Sequence, residues 1–323
     1  MKISVVIPVY NGGKTIEATL ASVLGQIHPP DEIIVLDDGS TDDTVVILKS
    51  YAERVRFLRQ ENRGAAVSRN VLCAEARGDL VAFLDADDLW HPGYLQLQCK
   101  LYADHPDAVA FFTGHVNFGG YGLYEWPQGL ADVKPDIEVI DRLSFLQRYN
   151  RSTGQFASMS YCCVPKSVLT SIGPEPFRVN RAEDSYLFTL LPLWGPVVYA
   201  STPLVAYRVT NESLSANHLR SFGPWVNVFE TLEECYERQP DRKLLQAFRM
   251  AFASKRRQYG RLLMAAGRIS EARAEFWRST SSRAPRSLVK SLGLLLASHM
   301  PSALQPRWPP IYRQYAETHE PLR

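Results

Sequence analysis

The chain opens on two alternating hydrophobic rhythms. Residues 3–9, ISVVIPV, form an unbroken apolar and mostly β-branched run that Asn11-Gly12-Gly13 stops. Such a run predicts a strand buried on both faces. The next apolar positions, Ile16, Leu20, Val23, Leu24 and Ile27, fall at helical spacing. Residues 32–36 read as a second buried strand, ending in Asp37-Asp38-Gly39-Ser40. Ser40 or Thr41 is placed to cap a helix whose apolar face is Val45, Leu48, Ala52 and Val55. Residues 55–58 predict a third short strand, 65–76 a helix and 80–84 a fourth strand. Strands alternating with helices over this length imply βαβ units, hence an α/β fold whose parallel sheet is covered on both faces.

Beyond residue 105 the pattern loosens. Residues 108–113, 156–164 and 197–208 read as further strands, and 182–191 as the start of a helix. Residues 114–136 are rich in Gly, Pro and aromatics, a composition expected of a substrate-side loop. From about residue 220 the texture is helical, with stripes over 225–238, 243–266 and 269–278 and Gly267 as a stop. The stretch LLMAAGRISEARAEFWRS resembles one helical hairpin of a tetratricopeptide-type repeat, and one copy makes no array. Residues 284–310 set Leu288, Leu292, Leu295 and Leu296 on one side of a helical wheel, with Arg283, Arg286, Lys290 and Arg307 nearby.

Composition narrows the class. With Lys+Arg 36 against Asp+Glu 34 in 323 residues, the chain lacks the basic excess of a nucleic-acid binder. The five cysteines show neither CxxC nor Cys/His ligand spacing, so neither a zinc site nor a disulfide framework is expected. Cys162 and Cys163 read as buried strand residues. The apolar run at the N-terminus is too short for a signal peptide, and no run of about 18 apolar residues predicts a membrane span. A reduced, cytoplasmic setting is expected.

The chemistry gathers at strand ends. VAFLDADDLW closes the fourth strand with Asp85, Asp87 and Asp88 crowded into one turn. In an open parallel sheet, ligands bind beyond the carboxyl ends of strands. A hard divalent cation, Mn²⁺ or Mg²⁺, cancels the mutual repulsion of such carboxylates and bridges them to substrate phosphates. A solvated acidic turn that caps the next helix is the plain alternative.

Four segments occur in order: VVIPVYNGGKTIEATLASVLGQ, EIIVLDDGSTDDT, ENRGAAVSRN and VAFLDADD. Together they resemble the family 2 glycosyltransferases, enzymes that add sugars from nucleotide-sugar donors. The resemblance is closest over residues 1–115, extends to about 220 and fades beyond. It implies a GT-A nucleotide-sugar-binding fold over residues 1–220, a Rossmann-like, mostly parallel sheet flanked by helices. Residues 221–323 follow as an α-helical C-terminal extension. By position, it lays Pro8, Val9 and Tyr10 along the nucleoside and sets Asp38 to accept from uracil N3–H, which favours a UDP-sugar. Arg69 falls on a basic residue of the nucleotide pocket, or serves as a fold-holding ion pair. Asp85, Ala86 and Asp87 match the family's D-x-D turn, with Asp85 toward the ribose and Asp87 on the metal. In NRAEDSYLFTLL, Asp184 matches the catalytic base, and the same Glu183-Asp184 pair also suits a helix N-terminus.

The resemblance further implies an inverting transfer to a glycan or lipid-linked glycan, as in surface polysaccharide assembly. Where many members carry a His after the Tyr-Arg pair, this chain has Thr210, and His218 stands in only if the loop folds back. Trp90 and His91 either line the donor pocket or pack in the core. Tyr121, Tyr124 and Trp126 either stack on acceptor sugars or pack their own loop. The leucines after residue 284 either pack on the helical hairpin or contact the inner membrane face. A nucleotidyltransferase and a non-catalytic sugar-nucleotide-binding module stay open as alternatives.

Overall fold

The computed structural model describes residues 1–121, 123–130, 134–151, 157–209, 218–282 and 285–299. They group into two units, residues 1–211 and 212–323. The first unit is built on strands β1 (Ile3–Val9), β2 (Glu32–Asp37), β3 (Arg56–Arg59), β4 (Leu80–Phe83) and β5 (Leu89–Trp90). It continues with β6 (Ala110–Phe118), β7 (Ile137–Ile140), β8 (Cys162–Pro165) and β9 (Val197–Arg208). Helices α1 (Ile16–Leu24), α2 (Thr44–Ser50), α3 (Ala65–Glu75), α4 (Tyr94–Asp104), α5 (Arg142–Arg151), α6 (Lys166–Ile172) and α7 (Glu183–Leu190) connect them.

The strands form one sheet in the order β3-β2-β1-β4-β8-β6-β9-β5, with β7 also paired to β9. β3, β2, β1 and β4 are mutually parallel. β8 inserts antiparallel between β4 and β6, and β9 runs parallel to β6. Two reversals restore the original direction. The carboxyl ends of β1, β2, β4, β6 and β9 therefore share one edge of the sheet, and the residues after each can meet there. The α/β expectation holds, and the GT-A-like, mostly parallel sheet is present. Residues 3–9 and 80–84 are buried almost throughout, as strands covered on both faces must be.

Several details differ from the pattern. Ser40 and Thr41 do not cap α2. Asp42 Oδ1 accepts from Thr44 N at 3.1 Å and from the Thr44 hydroxyl, while Ser40 Oγ accepts from Asn11 N at 2.8 Å. Ile27 lies past the end of α1 and is exposed. The strand expected over 156–164 is shorter and later, a 3-10 turn at Met159–Tyr161 leading into Cys162–Pro165. Cys162 and Cys163 are buried in it as expected, and all five cysteines are free. β6 runs on to Phe118 because Gly114 lets it hug β9, where the register slips on both sides of Gly114. A Cβ on Gly114 would stand 2.5 Å from Ser201 O, so a glycine is required at this close approach.

The second unit is helical: α8 (His218–Glu237), α9 (Arg242–Ala265), α10 (Ile269–Arg278) and α11 (Pro285–Ser298). Asp241 caps α9 by accepting from Lys243 N and Leu244 N. Gly267, at φ 75°, makes the tight turn into α10, and Gly260 lets Phe276 pack flat on α9. Buried Arg256 bridges Glu230 on α8 and Glu275 on α10 at 2.7 and 3.0 Å. The leucines of α11 divide. Leu294 and Leu295 pack on Leu263, Met264, Ala272 and Phe276. Leu288, Leu292 and Leu296 stay exposed, at 36%, 40% and 71%. The apolar side read from the sequence thus loses Leu295 to the hairpin. Within the described residues no helix is long and apolar enough to cross a membrane.

Candidate active site

The sequence-marked residues converge on the shared strand edge. At the end of β1, Val9 accepts through its carbonyl from Asp38 N at 2.8 Å, and Tyr10 follows with its side chain exposed. Pro8 is paired in register with Leu36 of β2. Asp38 is buried, and its carboxylate is already well occupied. Oδ1 accepts from Gln60 Nε2 at 2.6 Å and from Arg63 N at 2.9 Å, and Oδ2 accepts from Gly64 N at 2.8 Å. A carboxylate offers about four lone-pair sites. Asp38 thus anchors the 60–64 turn and keeps one site on Oδ2 for a ligand donor.

The turn after β4 is held from several sides. Thr19 of α1 donates its hydroxyl hydrogen toward the carbonyls of Ala86 and Asp88, both at 3.0 Å. Asp85 N donates to Ser160 Oγ at 3.1 Å. Asp88 is buried, and its Oδ1 accepts from Arg208 N at 2.8 Å. Arg208 Nε in turn donates to Asp87 O at 2.6 Å, and its guanidinium reaches Gly120 O. Asp88 therefore supports the turn from inside. Burial, with Asp87 and Asp85 nearby, pushes its carboxyl well above the usual range.

Asp87 points outward. Its side chain is exposed, yet the surrounding protein strips part of its water. Burial first and Asp85 second push it up to about 6. Among the described residues, only its backbone oxygen is engaged by a neighbour. Such an unspent hard oxygen fits a divalent cation. No group of three His, Cys, Asp or Glu side chains stands ready to hold a metal among the described residues. One protein carboxylate suffices where substrate phosphates and water complete the shell, the usual arrangement for Mg²⁺.

Arg69 of α3 joins two motifs far apart in sequence. It is buried, with one side-chain nitrogen 2.6 Å from Asp85 Oδ1 and the other bonded to Glu183 Oε1. Burial alone would lower its pKa, but Asp85 and Glu183 outweigh burial and hold it above the ordinary value. Both ends of its fork are spent on protein carboxylates.

Glu183 and Asp184 begin α7, where acidic groups favour the helix N-terminus. Asp184 Oδ1 accepts from Ser185 N at 2.6 Å, and among the described residues it pairs with no cation directly. Burial and then Glu183 raise it to about 6, against the pull of Arg69. Tyr149 and Tyr161 both feel its charge, and Tyr161 also feels that of Asp88. Tyr161 is buried and lies flat on His115, 4.7 Å between ring centroids.

Of the aromatics flagged in sequence, Trp90 is core, stacked on Tyr94 at 4.2 Å with its indole N–H on Ser160 O. His91 is buried with its ring edge-on to Trp126, which also meets Tyr124. Tyr121 is exposed under Lys14, whose ammonium lies 5.0 Å from the ring centroid. Thr210 and the His218 side chain lie outside the described residues. Sequence reading missed Ser160, Arg208 and the His115–Tyr161 pair. Only Arg208 carried a local cue, its place in the Tyr-Arg dipeptide.

The glycosyl transferase family 2 profile matches residues 4–169, about half of the chain. The chain belongs to glycosyl transferase family 2. A putative teichuronic acid biosynthesis glycosyltransferase, TuaG of Bacillus subtilis, is 44% identical over 117 residues, covering 35% of this chain and 46% of that protein. S. aureus TarS 1–349, solved in complex with UDP-GlcNAc, superposes with a TM-score of 0.69 at 17% identity, covering 98% of this chain and 91% of that one. A mannosyltransferase from Pyrobaculum calidifontis, solved with GDP-Man and Mn²⁺, gives 0.56 at 19% identity, covering 98% and 86%. These likenesses place the family 2 chain in the GT-A fold. The chain spans less than half the length of the first curated relatives it matches.

In this family 2 site, the raised Asp184 carboxyl has a stability consequence. The folded chain holds its proton up to about pH 6, whereas the unfolded chain releases it near 3.8. Asp184 therefore costs stability as pH rises through that window, and the cost vanishes below it. Asp184→Asn is expected to raise the Tm at pH 7.5, with the gap closing as pH falls toward 4. An equal or lower Tm at pH 7.5 would contradict the assigned environment.

Proposed function

We propose that the chain is an inverting, metal-dependent glycosyltransferase. It moves a sugar from a nucleotide-sugar, preferably a UDP-sugar, to a glycan or lipid-linked glycan acceptor in surface polysaccharide assembly. The observation that carries this reading is the convergence of Asp38, the Asp85–Asp88 turn and Asp184 on one strand edge, with Arg69 joining the turn to Glu183, the neighbour of Asp184. The resemblance to proteins named for teichuronic acid biosynthesis and solved with UDP-GlcNAc supports the donor and acceptor classes. Family membership leaves the nucleotidyltransferase alternative without support.

The chain's residues divide the work by chemistry. Pro8, Val9 and Tyr10 offer backbone and one exposed ring to the nucleoside, and Asp38 Oδ2 keeps a lone pair for uracil N3–H. Asp85 and Ala86 shape the turn beside the ribose. Asp87 would hold Mn²⁺ or Mg²⁺, which supplies Lewis-acid stabilisation of the departing diphosphate. Asp184 takes the acceptor hydroxyl proton. With its carboxyl near 6, it is largely ionised at neutral pH yet still basic enough to accept that proton. With one base facing the anomeric carbon opposite the leaving group, the centre inverts.

Acceptor placement belongs to the same proposal. The exposed Leu288, Val289, Leu292 and Leu296 of α11 suit peripheral contact of a cytoplasmic enzyme with the inner membrane face. Residues 300–310 of that segment lie outside the described residues. The full chain is expected to co-sediment with anionic vesicles at low salt, and a variant with Leu288, Leu292 and Leu296 each changed to Ser to stay in solution. A wild-type chain that stays in the supernatant removes the membrane part.

The central test is release of free nucleotide from a panel of nucleotide-sugars with and without Mn²⁺. Release is expected with a UDP-sugar, dependent on the metal and lost in Asp87→Asn with the fold retained. Asp184→Asn is expected to lose about 10²–10⁴-fold in turnover. A chain that binds UDP but releases nothing from any donor, with acceptor supplied, would instead be a binding module.

A further inference from the structure

Among the described residues Asp184 has no direct cation partner, so the placement of its segment must fix where it points. The segment that delivers it, residues 177–183, is tied at both ends to neighbouring residues of α3. At one end the Asn70 amide donates to Phe177 O at 2.8 Å and accepts from Phe177 N at 2.9 Å, taking the place of a paired strand. At the other end Arg69 holds Glu183. The Phe177 ring is buried edge-on to Phe83 of β4, 5.6 Å between centroids, with the Arg69 guanidinium 6.0 Å from its centre.

Between these ties the backbone is strained. Val179 has φ 66° and Arg181 has φ 71°. A β-branched residue in the left-handed region is a true outlier. Strain of this kind persists only where the surroundings enforce it. The ties at Phe177 and Glu183 are such surroundings. So is Gly64 at the start of α3, where any Cβ would come within 3.1 Å of Asn180 Oδ1. The same end of α3 carries the Arg63 and Gly64 amides that donate to Asp38. One short helix thus touches the nucleoside carboxylate, the acidic turn and both ends of the segment carrying Asp184.

We propose that α3 is a clamp, in which Arg69 and Asn70 are positioning residues that hold residues 177–183 in their strained shape and so aim Asp184. Neither side chain needs to meet donor or acceptor. The inference rests on the glycosyltransferase reading for its kinetic consequence and on geometry alone for its structural one.

The test compares wild type with Asn70→Ala, Asn70→Asp and Arg69→Lys. Asn70→Ala removes both bonds to Phe177, Asn70→Asp keeps only the acceptor, and Arg69→Lys keeps a charge that cannot fork to two carboxylates. Three quantities are read: kcat with the best donor, UDP affinity by calorimetry, and the rate of trypsin cleavage after Arg178 and Arg181. Asn70→Ala is expected to lose about 10²-fold in kcat, the cost of a misplacement near 1 Å. UDP affinity is expected to stay at the wild-type value, with faster cleavage of the segment. Asn70→Asp should fall between Asn70→Ala and wild type and remains readable if Asn70→Ala does not fold. Wild-type kcat in Asn70→Ala overturns the clamp. So does a segment as protected as in wild type, even if kcat falls. If wild type turns over no donor, the glycosyltransferase reading fails by itself, and the cleavage rates still decide the clamp.

Discussion

Arg69 is the interaction on which the site depends. Asp85, Asp87 and Asp88 share one turn, Glu183 and Asp184 open a helix, and both groups crowd the same strand edge. Unscreened, they repel one another. A buried guanidinium between Asp85 and Glu183 turns that repulsion into attraction at the point where the two motifs meet. Removing one member of such a buried pair costs about 3–5 kcal/mol, because a charge is left without its partner. Arg208 holds the other side of the turn, its backbone N–H donating to Asp88 and its guanidinium to the backbone of Asp87. Among the described residues Asp87 and Asp184 form no ion pair, and both have their pKa pushed up to about 6.

Sheet direction decides that these groups can meet at all. Because β8 enters antiparallel, β6 and β9 run with β4, and Arg208 emerges from β9 on the edge where β4 releases its acidic turn. The proposed donor-side residues come from β1, β2 and β4 and the proposed base from α7. The loop after β6 is drawn in through Gly120, whose carbonyl Arg208 holds. In the proposed role of base, a stability penalty at Asp184 is the counterpart of its chemistry. A carboxyl kept partly out of water destabilises the fold at neutral pH and gains basicity for proton removal.

Much of this was legible in sequence, and for a physical reason. Buried parallel strands need continuous apolar runs, so ISVVIPV and LVAFL announced themselves, and Asp38, Asp85 and Asp87 stood out because acid follows each run directly. α10 was read at the bounds the structure gives it, and β9 fills the segment read as containing a strand. The short β5, the edge strand β7 and helices α4 to α6 were not read, since their patterns are brief or mixed. Pairings across the chain left no local trace. Arg69 and Glu183 are 114 residues apart, and Asn70 and Phe177 are 107 apart. Nothing in VSRN says which way each side chain turns. The cap of α2 was misread because Ser40 is drawn to Asn11, leaving Asp42 to serve Thr44.

The claim that this edge is a metal-bridged nucleotide site is tested most directly by crystals grown with UDP and Mn²⁺ and measured at the manganese absorption edge. The expected result is one anomalous peak within bonding distance of an Asp87 carboxylate oxygen and of the diphosphate, with uracil facing Asp38 and Arg69 still joined to Asp85 and Glu183. UDP bound at this edge with no metal beside Asp87, or with Arg69 swung away onto the nucleotide, would contradict the account.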